Sequence, residues 1–153
     1  MVILLSVNFD SAAETSKPPG AAHRDMTEYL VATSSVHVTA AAADYLEDYL
    51  DPDEDSLVVV AVREPGRPTR DAEDAINVAR ARFGTPAPTM ETREGDTVPE
   101  LLSAIDEHDP DEVVVGTNGG RAADQGVGST VTELLRRLRR PVVVVPLPSF
   151  NRP

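Results

Sequence analysis

The chain has no cysteine. Without thiols there is no disulfide framework, no thiolate zinc site and no cysteine nucleophile. Histidine is almost as scarce: His23, His37 and His108 are the only three, and they are scattered. No histidine-built metal site is expected from them, and no other metal set is evident. Long apolar runs are missing too. None approaches the roughly 18 residues that span a bilayer, so no membrane partner is expected. Basic residues are few, 14 against 26 acidic ones, for a formal net charge of -12, and Lys17 is the one lysine. Such a surface repels phosphate backbones, which argues against DNA or RNA. Abundant Asp and Glu with almost no lysine is also the compositional pattern of proteins from a halophilic archaeon. An ordinary acidic cytosolic protein is the competing reading.

What is present suffices for one domain: 153 residues, 41% of them hydrophobic. The first 26 residues stand apart. "MVILLSVNFD" opens with an apolar burst but has no basic region before it, unlike a signal peptide. "SAAETSKPPGAAHRD" reads as a polar linker. Residues 1–26 are expected to be a mobile extension, or an upstream artefact if translation starts at Met26. The domain proper is expected over 27–149, with 150–153 as a short tail.

From there, strand and helix patterns alternate. "EYLVAT" (28–33) reads as a strand. Val38, Ala41, Ala42, Tyr45, Leu46 and Tyr49 then form one helical stripe. "DPDED" (51–55) reads as a solvated acidic turn, since it lacks the spacing of a calcium loop. "SLVVVAV" (56–62) reads as a strand covered on both faces, and "REPGRPT" (63–69) as a loop. Ala72, Ala75, Ile76, Ala79 and Phe83 make a second helix that Gly84 closes. "APTMETRE" (87–94) suits a polar edge strand. Thr97 with Glu100 looks like a capping box, opening a third helix on Val98, Leu101, Leu102 and Ile105. "DEVVVG" (111–116), a helix on Val131, Leu134, Leu135 and Leu138, and "PVVVVP" (141–146) complete the series. The pattern predicts an α/β fold: a five-stranded parallel sheet, Rossmann-like, with helices on both faces. Right-handed crossovers leave few topologies, and the order 3-2-1-4-5 is expected. Its winding reverses between strands 1 and 4, where ligands of such sheets bind.

Two segments fall at that crevice, Thr33–Ser35 and "GTNGGRAADQGVGST" (116–130). Five of the latter's fifteen residues are glycine. Glycine tolerates positive φ and lets a ligand touch backbone N–H groups. Gly128, Ser129 and Thr130 would open the last helix, whose first N–H groups suit an anion such as a nucleotide phosphate. A loop that only turns the chain, with Ser129 as a helix cap, is the alternative. The stretch matches neither the Walker loop, having no lysine, nor the dinucleotide fingerprint, lacking its third glycine. "RRLRR" (136–140) fits a helix C-terminus better than a nucleic-acid contact. His37 reads as an exposed first-turn residue.

These features together resemble the universal stress protein family. "VATSS" stands at its first strand and turn. "VVVGTNGGRAADQGVGST" stands at its strand and glycine motif, and "RRPVVVVP" at its terminal strand. "EGDTVPELLSAIDEHDPDEVVVGT" is similar to the run between. The resemblance covers residues 27–147 and implies the fold of the adenine nucleotide alpha hydrolases. It implies ATP or another adenine nucleotide as ligand. Ala32, Thr33 and Ser34 would then line the ribose or base side. Val62 would meet adenine through its backbone, and Val115 with Gly116 would lie under the ribose. Gly119, Gly128, Ser129 and Thr130 would hold phosphates, with Asn118 orienting the ligand. Arg121 could neutralise phosphate, and Asp124 is expected to face water. Two departures stand out. Eight residues separate Gly119 from Gly128, one fewer than in the family. Ser34 stands where nucleotide-binding members carry aspartate, and Ser35 where they carry glycine.

The leading expectation is a cytoplasmic stress-response protein that binds an adenine nucleotide with little or no hydrolysis, and is not an enzyme. The alternative is a dimeric interaction module of the same fold that binds no nucleotide. An adenylyl transferase or ATP pyrophosphatase would need a signature after the first strand that "TSSVHVT" does not supply. The resemblance also implies a homodimer through Pro141–Pro146.

Overall fold

The structure is a computed structural model that describes residues 3–5, 26–84, 87–117 and 128–147. Its strands are β1 (Ile3–Leu5), β2 (Glu28–Thr33), β3 (Ser56–Arg63), β4 (Thr89–Glu94), β5 (Glu112–Gly116) and β6 (Val142–Val145). Its helices are α1 (Val36–Glu47), α2 (Thr69–Arg82), α3 (Thr97–His108) and α4 (Ser129–Arg137). The sheet order is β1-β6-β5-β2-β3-β4. Strands β2 to β6 are mutually parallel and have the expected 3-2-1-4-5 order. β1 is an addition that the sequence pattern does not announce. It runs antiparallel along the outer edge of β6, the edge on which pairing with a twin is expected.

The continuous apolar runs follow from burial on both faces. Tyr29, Val31, Leu57, Val59 and Val143 point into one core with α1 and α2. Leu30, Val58, Val60, Val113 and Val144 point into the other with α3 and α4. β4 is the polar edge, with no buried residue. Among the described residues, no helix is long and apolar enough to cross a membrane.

Three local expectations need correction. The α1 stripe also includes Thr39 and Ala43, both buried, while Tyr49 lies beyond the helix and is exposed. Thr39 tolerates the core because its hydroxyl bonds the Ala75 carbonyl at 3.2 Å and the Thr33 hydroxyl at 2.8 Å. The capping box is not formed. Asp96 is the N-cap, with no side-chain cap bond, and the Thr97 hydroxyl donates to Glu64 instead.

"DPDED", third, is not wholly solvated. Asp55 is buried. Its carboxylate accepts from the Thr27 N–H at 3.0 Å and the Asp51 N–H at 2.8 Å, which ties the turn to the foot of β2. Substituting Asp55 with Ala leaves both donors without that acceptor. Hydrogen bonds to a charged group contribute about 1.5–3 kcal/mol each. A loss of about 2–4 kcal/mol is expected in urea unfolding; a loss below about 0.5 kcal/mol, the size of an ordinary surface substitution, contradicts the assignment.

Candidate functional site

The cleft forms because β2 and β5 lie side by side while their following helices pack on opposite faces of the sheet. α1 leaves β2 toward one face, and α4 covers the other. A hollow of about 430 Å³ opens beyond the carboxyl ends of β2, β3 and β5. It gathers Ala32, Thr33 and Ser34 from the end of β2, Val62 from β3, Val115 and Gly116 from β5, and Gly128, Ser129 and Thr130 from the start of α4. Nine of the residues singled out in the sequence thus line one cavity. Asn118 and Gly119, with Arg121 and Asp124, lie outside the described residues.

Each part has a local cause. The turn after β2 is held by Thr33, whose hydroxyl donates to the Ser35 carbonyl at 3.0 Å. Ser35 caps α1 by accepting from the Val38 N–H at 3.3 Å. Thr33 therefore lines the cleft with its hydroxyl already engaged, rather than free for a ligand. Ser34 is exposed between them, and no hydrogen bond from its side chain to a described residue is present.

Gly116 has a reason besides ligand access. A Cβ there would lie 2.9 Å from Val38 Cγ2 and 3.0 Å from Cγ1. The bare backbone lets α1 settle against the end of β5. Thr117 follows and also lines the cleft. Its N–H donates to the Val145 carbonyl at 3.1 Å, and its hydroxyl accepts from the Leu147 N–H at 3.2 Å. The exit of β5 is thereby fastened to the exit of β6.

Gly128 is the N-cap of α4, at φ 88° and ψ 158°. That positive φ favours glycine. Ser129 is the first helical residue, not the cap, and the N-cap carries no side-chain bond. The first-turn N–H groups of α4 are thus not closed off by a capping side chain, and they carry the positive end of the helix dipole. They open on the same hollow as Ser34 and Gly116. That combination can hold an anion.

Sequence reading missed the far wall. The loop after β3 and the start of α2 contribute Arg63, Glu64, Arg67, Pro68 and Asp71, and α3 contributes Thr97 and Leu101. The crevice therefore contains two carboxylates besides any from the glycine-rich loop. Glu64 accepts from Thr97 and lies 3.6 Å from Arg67 Nε. Arg63 pairs with Glu94 on β4. A usable signal existed: "REPGRPT" follows the strand beside β2, so the rule that ligands bind beyond the carboxyl ends of strands reaches it as well. His37 is exposed in the first turn of α1, away from the cleft lining.

Outside the cleft, several titratable groups are shifted. Burial pushes the Glu112 carboxyl up, opposed by the hydrogen bond it accepts from Tyr45 at 3.3 Å. Burial and the Glu112 charge push the Tyr45 hydroxyl up. Glu91, Glu107 and His108 approach one another closely enough to suggest a cation site. Arg93, however, pairs with both carboxylates, and its fixed positive charge opposes a metal ion there. Burial alone would raise the Glu91 carboxyl, but hydrogen bonds from His108 and Arg93 outweigh it and hold it low. A depressed carboxylate adds stability above its unfolded pKa, about 4.3, and loses it as pH falls through the lower folded value. Arg93→Gln is therefore expected to flatten the loss of stability below about pH 4.3, measured by urea unfolding across that range. An unchanged acid slope contradicts the pairing.

The fold and cleft define a doubly wound α/β protein with an anion-suited site at its switch point. The model of the Universal stress protein family matches residues 22–146, and the chain belongs to that family. Solved structures with this fold include a universal stress protein in complex with cAMP, 23% identical, with a TM-score of 0.59, covering 82% of this chain and 100% of that one. UspA from Lactobacillus plantarum is 19% identical, with a TM-score of 0.60, over 82% and 100%. An Arabidopsis thaliana family protein with AMP bound is 15% identical, with a TM-score of 0.58, over 83% and 96%. Comparison with curated proteins gave no match.

Proposed function

We propose that this protein binds ATP or another adenine nucleotide in the cleft between β2 and β5, in the cytoplasm, as part of a stress response and with little or no turnover. One observation carries the reading: the ends of β2, β3 and β5 converge on one hollow with the head of α4, a helix whose N-cap has no side-chain bond. The phosphates sit against Gly128, Ser129 and Thr130. The sugar lies over Val115 and Gly116, and the base reaches toward Val62 and the Arg63–Arg67 loop. Family proteins in complex with cAMP and with AMP support the ligand class. Of the two cleft carboxylates, Glu64 is held by Thr97 and Arg67, which leaves it poorly disposed to act as a base.

Ser34 favours a second reading, an interaction module without nucleotide, because it supplies no carboxylate to the ligand. Calorimetry with ATP at high salt separates the two. Saturable one-site binding is expected. An absence of binding at about 1 mM ATP, where even an affinity of about -4 kcal/mol registers, overturns the first reading in favour of the second.

A further inference from the structure

The two edges of the sheet are protected in different ways. β4 carries its own defence: "TMETRE" is polar, and Glu91, Arg93 and Glu94 discourage another strand from joining it. β6 has no such defence. It is four successive valines, each at most 1% exposed. Val143 and Val145 are buried in the core under α1 and α2, and Val142 and Val144 in the core under α3 and α4. Pro141 and Pro146 flank the strand and limit its length, but no charge or polar residue interrupts it. A bare edge of this composition would template pairing with another extended chain. Residues 3–5 lie along it, with Ile3 opposite Val144, Leu4 opposite Val143 and Leu5 opposite Val142.

We infer that β1 is a built-in cover for the β6 edge, and that its release opens this edge to β6 of a second copy of the chain. The direction of pairing supports the competition. β1 runs antiparallel to β6, and two copies of β6 related by a two-fold axis would also pair antiparallel. Both occupants need the same row of N–H and C=O groups, so one excludes the other. The cover is short, three residues, so a modest perturbation displaces it. A net charge of -12 per chain opposes association at low salt, and salt screens that repulsion. Twenty-two residues, 6–27, join β1 to β2. Fully extended they span about 70 Å, so β1 can reach β6 of its own chain or of a neighbour. The test must tell these apart.

The absence of cysteine makes the test clean. Leu4→Cys with Val143→Cys places two thiols directly opposite across an antiparallel pair, within disulfide range. Mild oxidation is expected to give a cross-linked monomer on a non-reducing gel. A cross-linked dimer, or no cross-link in folded protein, overturns the cover in cis. Leu5→Cys with Val142→Cys tests the same register one residue along if the first pair does not fold.

Ile3→Pro with Leu4→Pro then removes the cover in the full chain. Of two successive residues in such a strand, one points its N–H at the neighbour, so the double variant breaks the ladder whichever it is. At about 1 M salt, light scattering is expected to show a monomeric wild type and a variant that dimerises at least about tenfold more tightly. Ile3→Asp with Leu5→Asp is expected to behave alike. A wild type as dimeric as the variants, or folded variants that all stay monomeric, overturns the inference. Nucleotide binding is not involved, so its failure leaves this result intact.

Discussion

Replacing Gly128 with valine is expected to weaken ATP binding at least about tenfold. Gly128 sits at φ 88° and ψ 158°, a region that a β-branched residue enters only at a cost of about 1–3 kcal/mol. The chain relieves that strain by rotating the backbone at the head of α4. The N–H groups of Ser129 and Thr130 then turn away from the hollow they share with Ser34 and Gly116. A tenfold loss of affinity corresponds to about 1.4 kcal/mol, within the strain available. The rest of α4 is anchored by Val131, Leu134 and Leu138 in the core, so the fold survives. Calorimetry measures the affinity, and thermal unfolding checks that the midpoint falls by no more than about 2–8 °C. Unchanged affinity in the folded variant would remove α4 from the phosphate site.

Gly116→Ala is expected to destabilise the protein by about 1–3 kcal/mol through overpacking. The new methyl would meet Val38 at 2.9 and 3.0 Å. Valine cannot swing away, because its branched side chain is stiff at χ1 and this one is buried. Trimming Val38 to alanine removes the atoms in conflict. On that background the Gly116→Ala step is expected to cost less than about 0.5 kcal/mol. Urea unfolding of the four proteins in this cycle decides the matter. An equal cost on both backgrounds would mean that the glycine is needed for something other than room for α1.

These two glycines show how far the sequence could be read. Both stand out by composition, yet only coordinates separate their roles. Gly128 meets a backbone requirement at a helix start, and Gly116 makes room for a neighbouring side chain. Four of the five parallel strands were legible because burial on both faces leaves unbroken apolar runs, and β4 because its polar composition suits an edge. Four of the five helical stripe residues from Ala72 to Ala79 and Phe83 are aliphatic, which made α2 equally clear. Thr39 was not legible: a polar side chain enters the core only because Thr33 and Ala75, remote in sequence or turned by a loop, supply its hydrogen bonds. The Thr97–Glu100 pair looked like a local cap, but Thr97 is engaged by Glu64, thirty-three residues earlier. β1 was hidden for the same reason. Three apolar residues make no pattern, and their partner lies at the opposite end of the chain. The far wall of the cleft escaped because "REPGRPT" is an ordinary turn in composition, and only its position beyond β3 brings it to the hollow.

The central claim is that one ligand touches the ends of β2 and β5 and the head of α4 together. Titrating the isotope-labelled protein with ATP while following its backbone amide resonances tests this most directly. The account predicts saturable shifts that share one dissociation constant at Ser34, Gly116, Thr117, Gly128, Ser129 and Thr130. Shifts confined to another surface, or none at a nucleotide concentration of about 5 mM, would contradict it.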